Sequence, residues 1–207
     1  MITAIFDMDG TLINSANAIS SAVNEIRSEL NLEPLENGFI MQTINTPGKD
    51  WAKELYNIDD FQASSFKDGF EKYFIKHYQQ SVILYEGVIE ILDFLKSKNA
   101  FLAIATNAPQ SSLTSILKKH NILPFFNKIL GVSPDIEPKP NPIMLNLIKD
   151  ESPFKTCVFI GDSLKDKEAA SHAKMPYYHA KWGFKGTLKK DEFSNKDELK
   201  KLLKAHL

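Results

Sequence analysis

Short apolar runs alternate with helical patterns along most of the chain, and this alternation constrains the fold more than any other feature. Five runs stand out as candidate strands, namely residues 2–6, 100–105, 128–132, 156–160 and 177–179. The longer runs lack the polar alternation of a half-exposed strand, so we expect them to be buried on both faces. Buried strands separated by helices predict a doubly wound parallel sheet of the α/β class.

The spacing of the candidate strands is uneven in one place. The first run ends at residue 6 and the second begins only at residue 100, whereas a strand-helix-strand unit needs about thirty residues. Residues 14–83 hold several helical patterns and no convincing strand. We therefore expect an all-helical subdomain over 14–83, inserted into a core formed by 1–13 and 84–207.

Charge and composition exclude several classes of protein. Lys+Arg 25 against Asp+Glu 26 gives a net charge of −1, which argues against a nucleic acid partner. The longest apolar runs are too short to cross a membrane, and Asp7 and Asp9 stand where a signal peptide needs apolar residues. The single cysteine, Cys157, cannot form an intramolecular disulfide. We expect a cytoplasmic protein, as a monomer or a homodimer.

Polar clusters follow three of the candidate strands. They are Asp7-Met8-Asp9-Gly10-Thr11, Thr106-Asn107, and Gly161-Asp162-Ser163 with Asp166 close behind. Parallel strands bring their carboxyl ends to one edge of the sheet, where ligands bind in open α/β folds. Carboxylates gathered at that edge repel one another unless a cation joins them. Ligation through oxygen alone, by Asp7, Asp9 and either Asp162 or Asp166, favours Mg²⁺.

A lysine completes this set of polar groups. Lys139 lies in the sequence Glu-Pro-Lys-Pro-Asn-Pro over residues 137–142, and three prolines stiffen such a loop. A rigid loop can direct one ammonium group to a fixed point, and Thr106 and Asn107 add neutral donors. Carboxylates, a divalent metal, one lysine and hydroxyl or amide donors together suit phosphoryl transfer.

Four motifs resemble those of the haloacid dehalogenase-like phosphatase superfamily. They are Asp-x-Asp-Gly-Thr at 7–11, a threonine closing the second strand at 106, Lys-Pro at 139–140, and Gly-Asp-Ser-x-x-Asp at 161–166. They occur in the order that the superfamily has. The chain is most similar to the branch with a helical cap, which includes phosphoglycolate phosphatases. The resemblance implies a Rossmann-like core with an inserted helical cap.

The resemblance also implies a role for each motif residue. Asp7 would be the nucleophile, and Asp9 would protonate the leaving alcohol and later activate water. Mg²⁺ would be held by the Asp7 carboxylate, the main-chain carbonyl of Asp9 and Asp162. Asp166 would be an outer or water-mediated ligand that also orients Lys139. The phosphoryl oxygens would be held by Thr106, Asn107 and Lys139.

The resulting hypothesis is a Mg²⁺-dependent phosphatase that hydrolyses a small phosphorylated metabolite, such as phosphoglycolate, through an aspartyl-phosphate. A sugar phosphomutase of the β-phosphoglucomutase type, or a nucleotidase or pyrophosphatase of the same superfamily, is the alternative. The acid at Asp9 argues against a dehalogenase, and Thr11 favours a phosphatase over a mutase. The long insertion argues against a signalling receiver domain. The electrostatic cost of the acidic set argues against a phosphate-binding module without catalysis.

Overall fold

The computed structural model of the chain describes residues 1–59 and 67–207. The chain divides into two compact units. The core unit consists of Met1–Ile13 and Leu84–Leu207, and the helical unit consists of Asn14–Ile83. Two short strands, at Ile13–Asn14 and Ile83–Leu84, lie where the chain passes from one unit to the other.

A six-stranded parallel sheet forms the centre of the core unit. In chain order the strands are β1 (Thr3–Phe6), the two short strands β2 (Ile13–Asn14) and β3 (Ile83–Leu84), β4 (Phe101–Pro109), β5 (Lys128–Val132), β6 (Cys157–Gly161), β7 (Tyr177–Ala180) and β8 (Glu192–Phe193). The sheet has the order β5-β4-β1-β6-β7-β8, and β2 and β3 pair separately. All neighbours in the large sheet are parallel. The strand order reverses at β1, which is the position where open α/β sheets bind ligands.

Helices account for most of the remaining described chain. The helical unit contains α1 (Ala16–Glu29), α2 (Asn37–Asn45), α3 (Trp51–Tyr56) and α4 (Lys67–Ser81), while the core unit contains α5 (Val88–Ser97), α6 (Gln110–Lys119), α7 (Ile143–Glu151), α8 (Leu164–His172) and α9 (Lys196–Lys204). A short 3₁₀ turn lies at Leu123–Phe125. No helix in the described part of the chain is both long enough and apolar enough to cross a membrane.

Helices cover both faces of the large sheet. Successive side chains of a strand point to opposite faces, so Ile5 lies on one face of the sheet and Phe6 on the other. Ile5 lies in a buried cluster with residues of α7 and α8, including Leu145 and Ala169. Phe6 lines one small cavity with Val88 of α5 and Leu199 of α9. The sheet is therefore doubly wound, as the apolar runs predict, and this confirms the expected fold class.

The helical unit is organised around its first helix. α1 contacts α2, α3 and α4, and its residues Ile19, Val23 and Ile26 are buried. Arg27, the only arginine of the chain, is also buried. Its guanidinium donates to the main-chain carbonyl of Glu33 at 2.6 Å and to that of Leu55. This arginine therefore satisfies main-chain acceptors between helices.

The sheet differs from the predicted strands at its margins. Strand β4 continues past the predicted end at residue 105 to Pro109, with a shift of register against β5 between Ala105 and Pro109. The polar pair Thr106-Asn107 has the composition of a turn, and so the apolar pattern misses this extension. The two-residue strands β2, β3 and β8 are also missed, because a pattern with a period of two needs more residues to be visible.

Candidate active site

The predicted site residues of the first and third clusters lie at the carboxyl edge of the sheet. In the ladder Phe6 pairs with Ile104 of β4 and with Ile160 of β6. Asp7 follows directly, and its N–H donates to the carbonyl of Ile160 at 2.8 Å. Asp162 follows the end of β6 in the same way. Residues distant in sequence therefore meet at the point where the strand order reverses.

Three carboxylates meet at this edge. Asp7, Asp162 and Asp166 each offer an oxygen atom, and these oxygens lie within 4.8 Å of one another. Burial raises the pKa of Asp7 to about 7, a rise to which the charges of Asp166 and Asp9 add and which Lys139 opposes. Burial also raises the pKa of Asp162 well above its ordinary value, with the charge of Asp7 adding to the effect. An all-oxygen set with costly negative charge has the chemistry of a site for a hard metal ion.

The Lys139 ammonium group lies between two of these carboxylates. Its Nζ donates to Asp7 Oδ1 at 2.6 Å, to Asp166 Oδ1 at 2.5 Å and to the carbonyl of Ala105 at 2.9 Å. These three acceptors use all three of its protons. Burial lowers the pKa of Lys139, but the charges of Asp166 and Asp7 outweigh it, so the pKa is raised. Lys139 therefore carries its charge inside the site and offsets only part of the negative charge there.

The loop that carries Lys139 is fixed by Asn107. The Asn107 side chain donates from Nδ2 to the carbonyl of Lys139 at 3.0 Å, and its Oδ1 accepts the Lys139 N–H at 2.7 Å. Thr106 is buried, and its hydroxyl oxygen accepts the N–H of Ala108 at 3.2 Å. The structure thus brings Thr106, Asn107 and Lys139 to the same strand end. The assignment of phosphate binding to these three residues stays a prediction.

Asp166 is held by the first turn of α8. Ser163 and Asp166 form a reciprocal capping box, in which the Ser163 hydroxyl accepts the Asp166 N–H at 3.1 Å and donates to Asp166 Oδ2 at 2.6 Å. The N–H groups of Asp162 and Ser163 also donate to Oδ2, at 3.2 and 3.0 Å. One oxygen of Asp166 is therefore used within the turn, while the other faces Lys139. Ser163 is therefore the N-cap of this helix.

Two glycines allow the carboxylates their positions. Gly10 has a φ of +78°, and a Cβ at this position would lie 2.1 Å from Asp162 Oδ2. A Cβ on Gly161 would lie 2.7 Å from the Cβ of Asp166. Thr11 follows Gly10 in the same turn, and its hydroxyl lies 3.5 Å from Asp162 Oδ1. A side chain on either glycine would displace an aspartate of the site.

Aromatic residues near the site carry no signal in the sequence. Trp182 donates from Nε1 to the carbonyl of Thr11 at 2.9 Å and stacks on Tyr85 with a centroid distance of 5.2 Å. Burial raises the pKa of Tyr85 to about 12, and the charges of Asp162 and Asp9 add to this rise. Tyr177 and His179, on β7, also lie close to the acidic cluster. Sequence reasoning missed all four, because Tyr177 and His179 reach the site only through the place of β7 in the sheet, and Tyr85 and Trp182 only through the packing of segments outside the strands.

Comparison with known proteins identifies the family. The model of the haloacid dehalogenase-like hydrolases matches residues 4–180. A phosphoglycolate phosphatase from Mannheimia succiniciproducens is 31% identical over 179 residues, which is 81% of this chain and 80% of that protein. A phosphoglycolate phosphatase from Colwellia psychrerythraea is 30% identical over 87% of this chain and 84% of its own length.

Solved structures agree with this result. The crystal structure of a predicted phosphoglycolate phosphatase from Haemophilus somnus has a TM-score of 0.81 at 26% identity, and 97% of each chain is covered. The fold and the site define an α/β protein with a doubly wound core and an acidic site at the carboxyl edge of its sheet. Within that class the chain belongs to the haloacid dehalogenase-like hydrolases. It is an enzyme, a phosphatase of that family.

Proposed function

We propose that the enzyme is a Mg²⁺-dependent phosphatase that hydrolyses a small phosphomonoester, phosphoglycolate foremost, through an aspartyl-phosphate on Asp7. The observation that carries the proposal is the position of Asp7 at the switch point, with Lys139 Nζ 2.6 Å from one carboxylate oxygen. The other oxygen is then the nucleophile. Lys139 orients the carboxylate and offers positive charge where the phosphoryl group arrives.

The first half of the reaction transfers the phosphoryl group to the enzyme. An Asp7 oxygen forms a bond to phosphorus while the bond from phosphorus to the alcohol oxygen breaks. The protonated carboxyl of Asp9 gives its proton to the departing alkoxide, which leaves as a neutral alcohol. Thr106 and Asn107 hold the other phosphoryl oxygens, and Lys139, whose three protons are already donated, contributes its positive charge beside them. The enzyme then carries an acyl phosphate on Asp7 and a carboxylate on Asp9.

The second half releases phosphate. The Asp9 carboxylate takes a proton from a water molecule as that water attacks phosphorus, and the bond between phosphorus and Asp7 breaks. Inorganic phosphate leaves, and both aspartates return to their starting states. Asp7, the Asp9 main-chain carbonyl and Asp162 would hold Mg²⁺, which supplies positive charge to the phosphoryl oxygens. Asp166 holds Lys139 in place throughout.

The names of the curated relatives support phosphoglycolate as the substrate. Such a substrate carries a carboxylate besides its phosphoryl group. The chain's only arginine, Arg27, already donates to two main-chain carbonyls. Lysines or N–H groups would therefore bind the carboxylate. Lys49 and Lys53 already form ion pairs, with Glu54 and Asp59 respectively.

The test is inorganic phosphate release from a panel of esters, with Mg²⁺ or with EDTA. The panel contains 2-phosphoglycolate, sugar phosphates and nucleoside monophosphates, with pyrophosphate as an anhydride. We expect turnover of 2-phosphoglycolate that requires Mg²⁺, falls to background in Asp7→Asn and persists in Asp150→Asn, an exposed aspartate of α7. Wild-type turnover by Asp7→Asn would refute the nucleophile, and activity in EDTA would refute the metal. Phosphorylation of Asp7 without phosphate release would favour the phosphomutase alternative.

A further inference from the structure

Ser163 joins the end of β6 to the start of α8 and is bonded at each of its polar atoms. Its N–H and hydroxyl are used by Asp166 in the capping box. Its carbonyl oxygen accepts two hydrogen bonds, from the Lys167 N–H at 3.2 Å and from the Tyr177 hydroxyl at 3.3 Å. Of these partners, Tyr177 is the one outside α8, because it lies on β7. Tyr177 thus ties the first turn of α8 to a neighbouring strand.

One arrangement of donors and acceptors makes both contacts of the Tyr177 hydroxyl, with the Ser163 carbonyl and with His179 Nδ1, at once. A carbonyl oxygen only accepts, so the hydroxyl proton of Tyr177 points to Ser163. The hydroxyl oxygen is then the acceptor for His179 Nδ1, which lies 2.9 Å away. In this arrangement His179 carries a proton on Nδ1. Burial lowers the pKa of His179 and raises the pKa of Tyr177, so a neutral imidazole and a protonated phenol fit the same arrangement.

The contact reaches the acidic cluster by two routes. Through the main chain, Asp162 precedes Ser163 and its N–H donates to Asp166 Oδ2 at 3.2 Å. Through side chains, the ring of Tyr177 lies 6.0 Å from that of Phe159, and Lys139 Nζ lies 5.2 Å from the Phe159 ring. A movement of the first turn of α8 would therefore displace two carboxylates relative to Lys139.

We infer that Tyr177, oriented by His179, is a positioning residue of this enzyme. Its hydroxyl anchors the N-terminus of α8 to β7 and so keeps Asp162 and Asp166 in register with Lys139. The inference rests on the proposed function where it is tested by kcat. The affinity for Mg²⁺, measured without substrate, is a second and independent test. Removal of the hydroxyl changes the position of groups that act on the phosphoryl group and touches no atom of the substrate.

The test compares two tyrosines of the same strand. Tyr177→Phe removes the hydroxyl that reaches Ser163. Tyr178→Phe is the matched control, because Tyr178 points to the opposite face and its hydroxyl pairs with His206 Nε2 at 2.6 Å. Loss of partners behind metal ligands typically costs 10- to 100-fold, and we expect the lower end here, about 10-fold in kcat and in the Mg²⁺ dissociation constant. We expect KM to stay within about twofold of the wild type in both variants. In the control Tyr178→Phe, kcat and the Mg²⁺ dissociation constant should also stay within about twofold of the wild type.

A second pair of variants isolates the role of His179. His179→Ala removes the donor to the Tyr177 hydroxyl, whereas His179→Asn keeps an N–H at nearly the same place as Nδ1. We expect the alanine variant to lose several-fold in kcat and the asparagine variant to recover most of it. Calorimetric titration with Mg²⁺ measures the metal affinity of each variant without any substrate. Melting temperatures record the effect on stability separately.

Each outcome decides the inference. If Tyr177→Phe equals Tyr178→Phe in kcat and in Mg²⁺ affinity, the inference is overturned whatever the melting temperatures are. If the wild type hydrolyses no member of the panel, the proposed function fails, and the Mg²⁺ titration of the two phenylalanine variants alone decides the inference. Absence of Mg²⁺ binding by the wild type would overturn both. If Tyr177→Phe does not fold, equal values for the two His179 variants overturn the inference and rescue by asparagine supports it.

Discussion

A methyl group added at Gly161 should reduce turnover by displacing Asp166. The new Cβ would lie 2.7 Å from the Cβ of Asp166, whereas ordinary contacts begin at 3.4 Å. Asp166 must then withdraw by about 0.7 Å, the difference between these distances. Its Oδ1 lies 2.5 Å from Lys139 Nζ, so this displacement lengthens the contact that orients the lysine.

The size of the effect follows from that displacement. A misplacement of about 1 Å in an active site can cost about 100-fold in rate, so Gly161→Ala should lose roughly 10- to 100-fold in kcat. Overpacking of a filled site costs about 1–3 kcal/mol in the free energy of unfolding. Gly161 does not have a positive φ, so the substitution adds no backbone strain and its effect is steric.

Gly38→Ala is the matched control for this substitution. Gly38 lies in α2, and a Cβ there would meet no atom within 4 Å. Alanine should stabilise that helix by about 0.5–1 kcal/mol without changing kcat. The assays are phosphate release at saturating substrate and urea denaturation. A Gly161→Ala enzyme with kcat within twofold of the wild type would refute the reasoning, because it would show that Asp166 can move without consequence.

Three further changes have defined outcomes. Lys139→Met leaves two buried carboxylates without their cation, so the free energy of unfolding measured with urea in EDTA should fall by about 3–5 kcal/mol and activity should reach background. Arg27→Met leaves two main-chain carbonyls without a donor, and the same urea assay should show a loss of about 2–4 kcal/mol. Burial lowers the pKa of His120 below its ordinary 6.5, so the folded state favours the neutral imidazole. The neutral side chain therefore adds to the free energy of unfolding above pH 6.5, and this stabilisation is lost as the pH falls through the folded pKa. The drop in melting temperature from pH 7.5 to pH 5.5 should therefore be smaller in His120→Gln.

Each of these expectations has a result that contradicts it. Lys139→Met should destabilise the protein far more than Lys149→Met, which removes an exposed lysine of α7; equal losses would mean that the buried ammonium is not needed for charge balance. An unchanged urea midpoint in Arg27→Met would show that water reaches the two carbonyls. An equal dependence of melting temperature on pH in His120→Gln and the wild type would exclude His120 as the source of the acid sensitivity.

The sequence predicts the site's location because that location depends on the strands being parallel and not on their order in the sheet. Asp7, Thr106 and Asp162 follow apolar runs, and in any parallel sheet the carboxyl ends of neighbouring strands share an edge. Ser163 and Asp166 are separated as a capping box requires, so their pairing is also visible in the sequence. Lys174, which follows α8, has a φ of 52° and so takes the left-handed conformation that glycine usually supplies after a helix.

Contacts between loops could not be predicted, because no local pattern encodes them. The pairing of Asn107 with the main chain of Lys139 depends on how two loops distant in sequence meet in space. The sequence therefore predicts that Asn107 is a hydrogen-bond donor at a strand end, but it does not indicate that its partner is the main chain of Lys139. Tyr177 and His179 are likewise two residues of a short strand, and their role is visible only once β7 lies beside β6.

The central place of β1 has a consequence for the order in which the protein becomes active. Thr3 pairs with Phe101 on one side and with Cys157 on the other, so both neighbours of this strand are remote in sequence. Contacts of such long sequence separation form slowly, because the chain must close large loops before they form. Until β1 pairs with both neighbours, Asp7 is separated from Asp162 and Asp166 by the length of the intervening chain, and the carboxylate set that would hold a metal is not assembled. Under the proposed function, catalytic competence therefore requires the pairing of β1 with both β4 and β6.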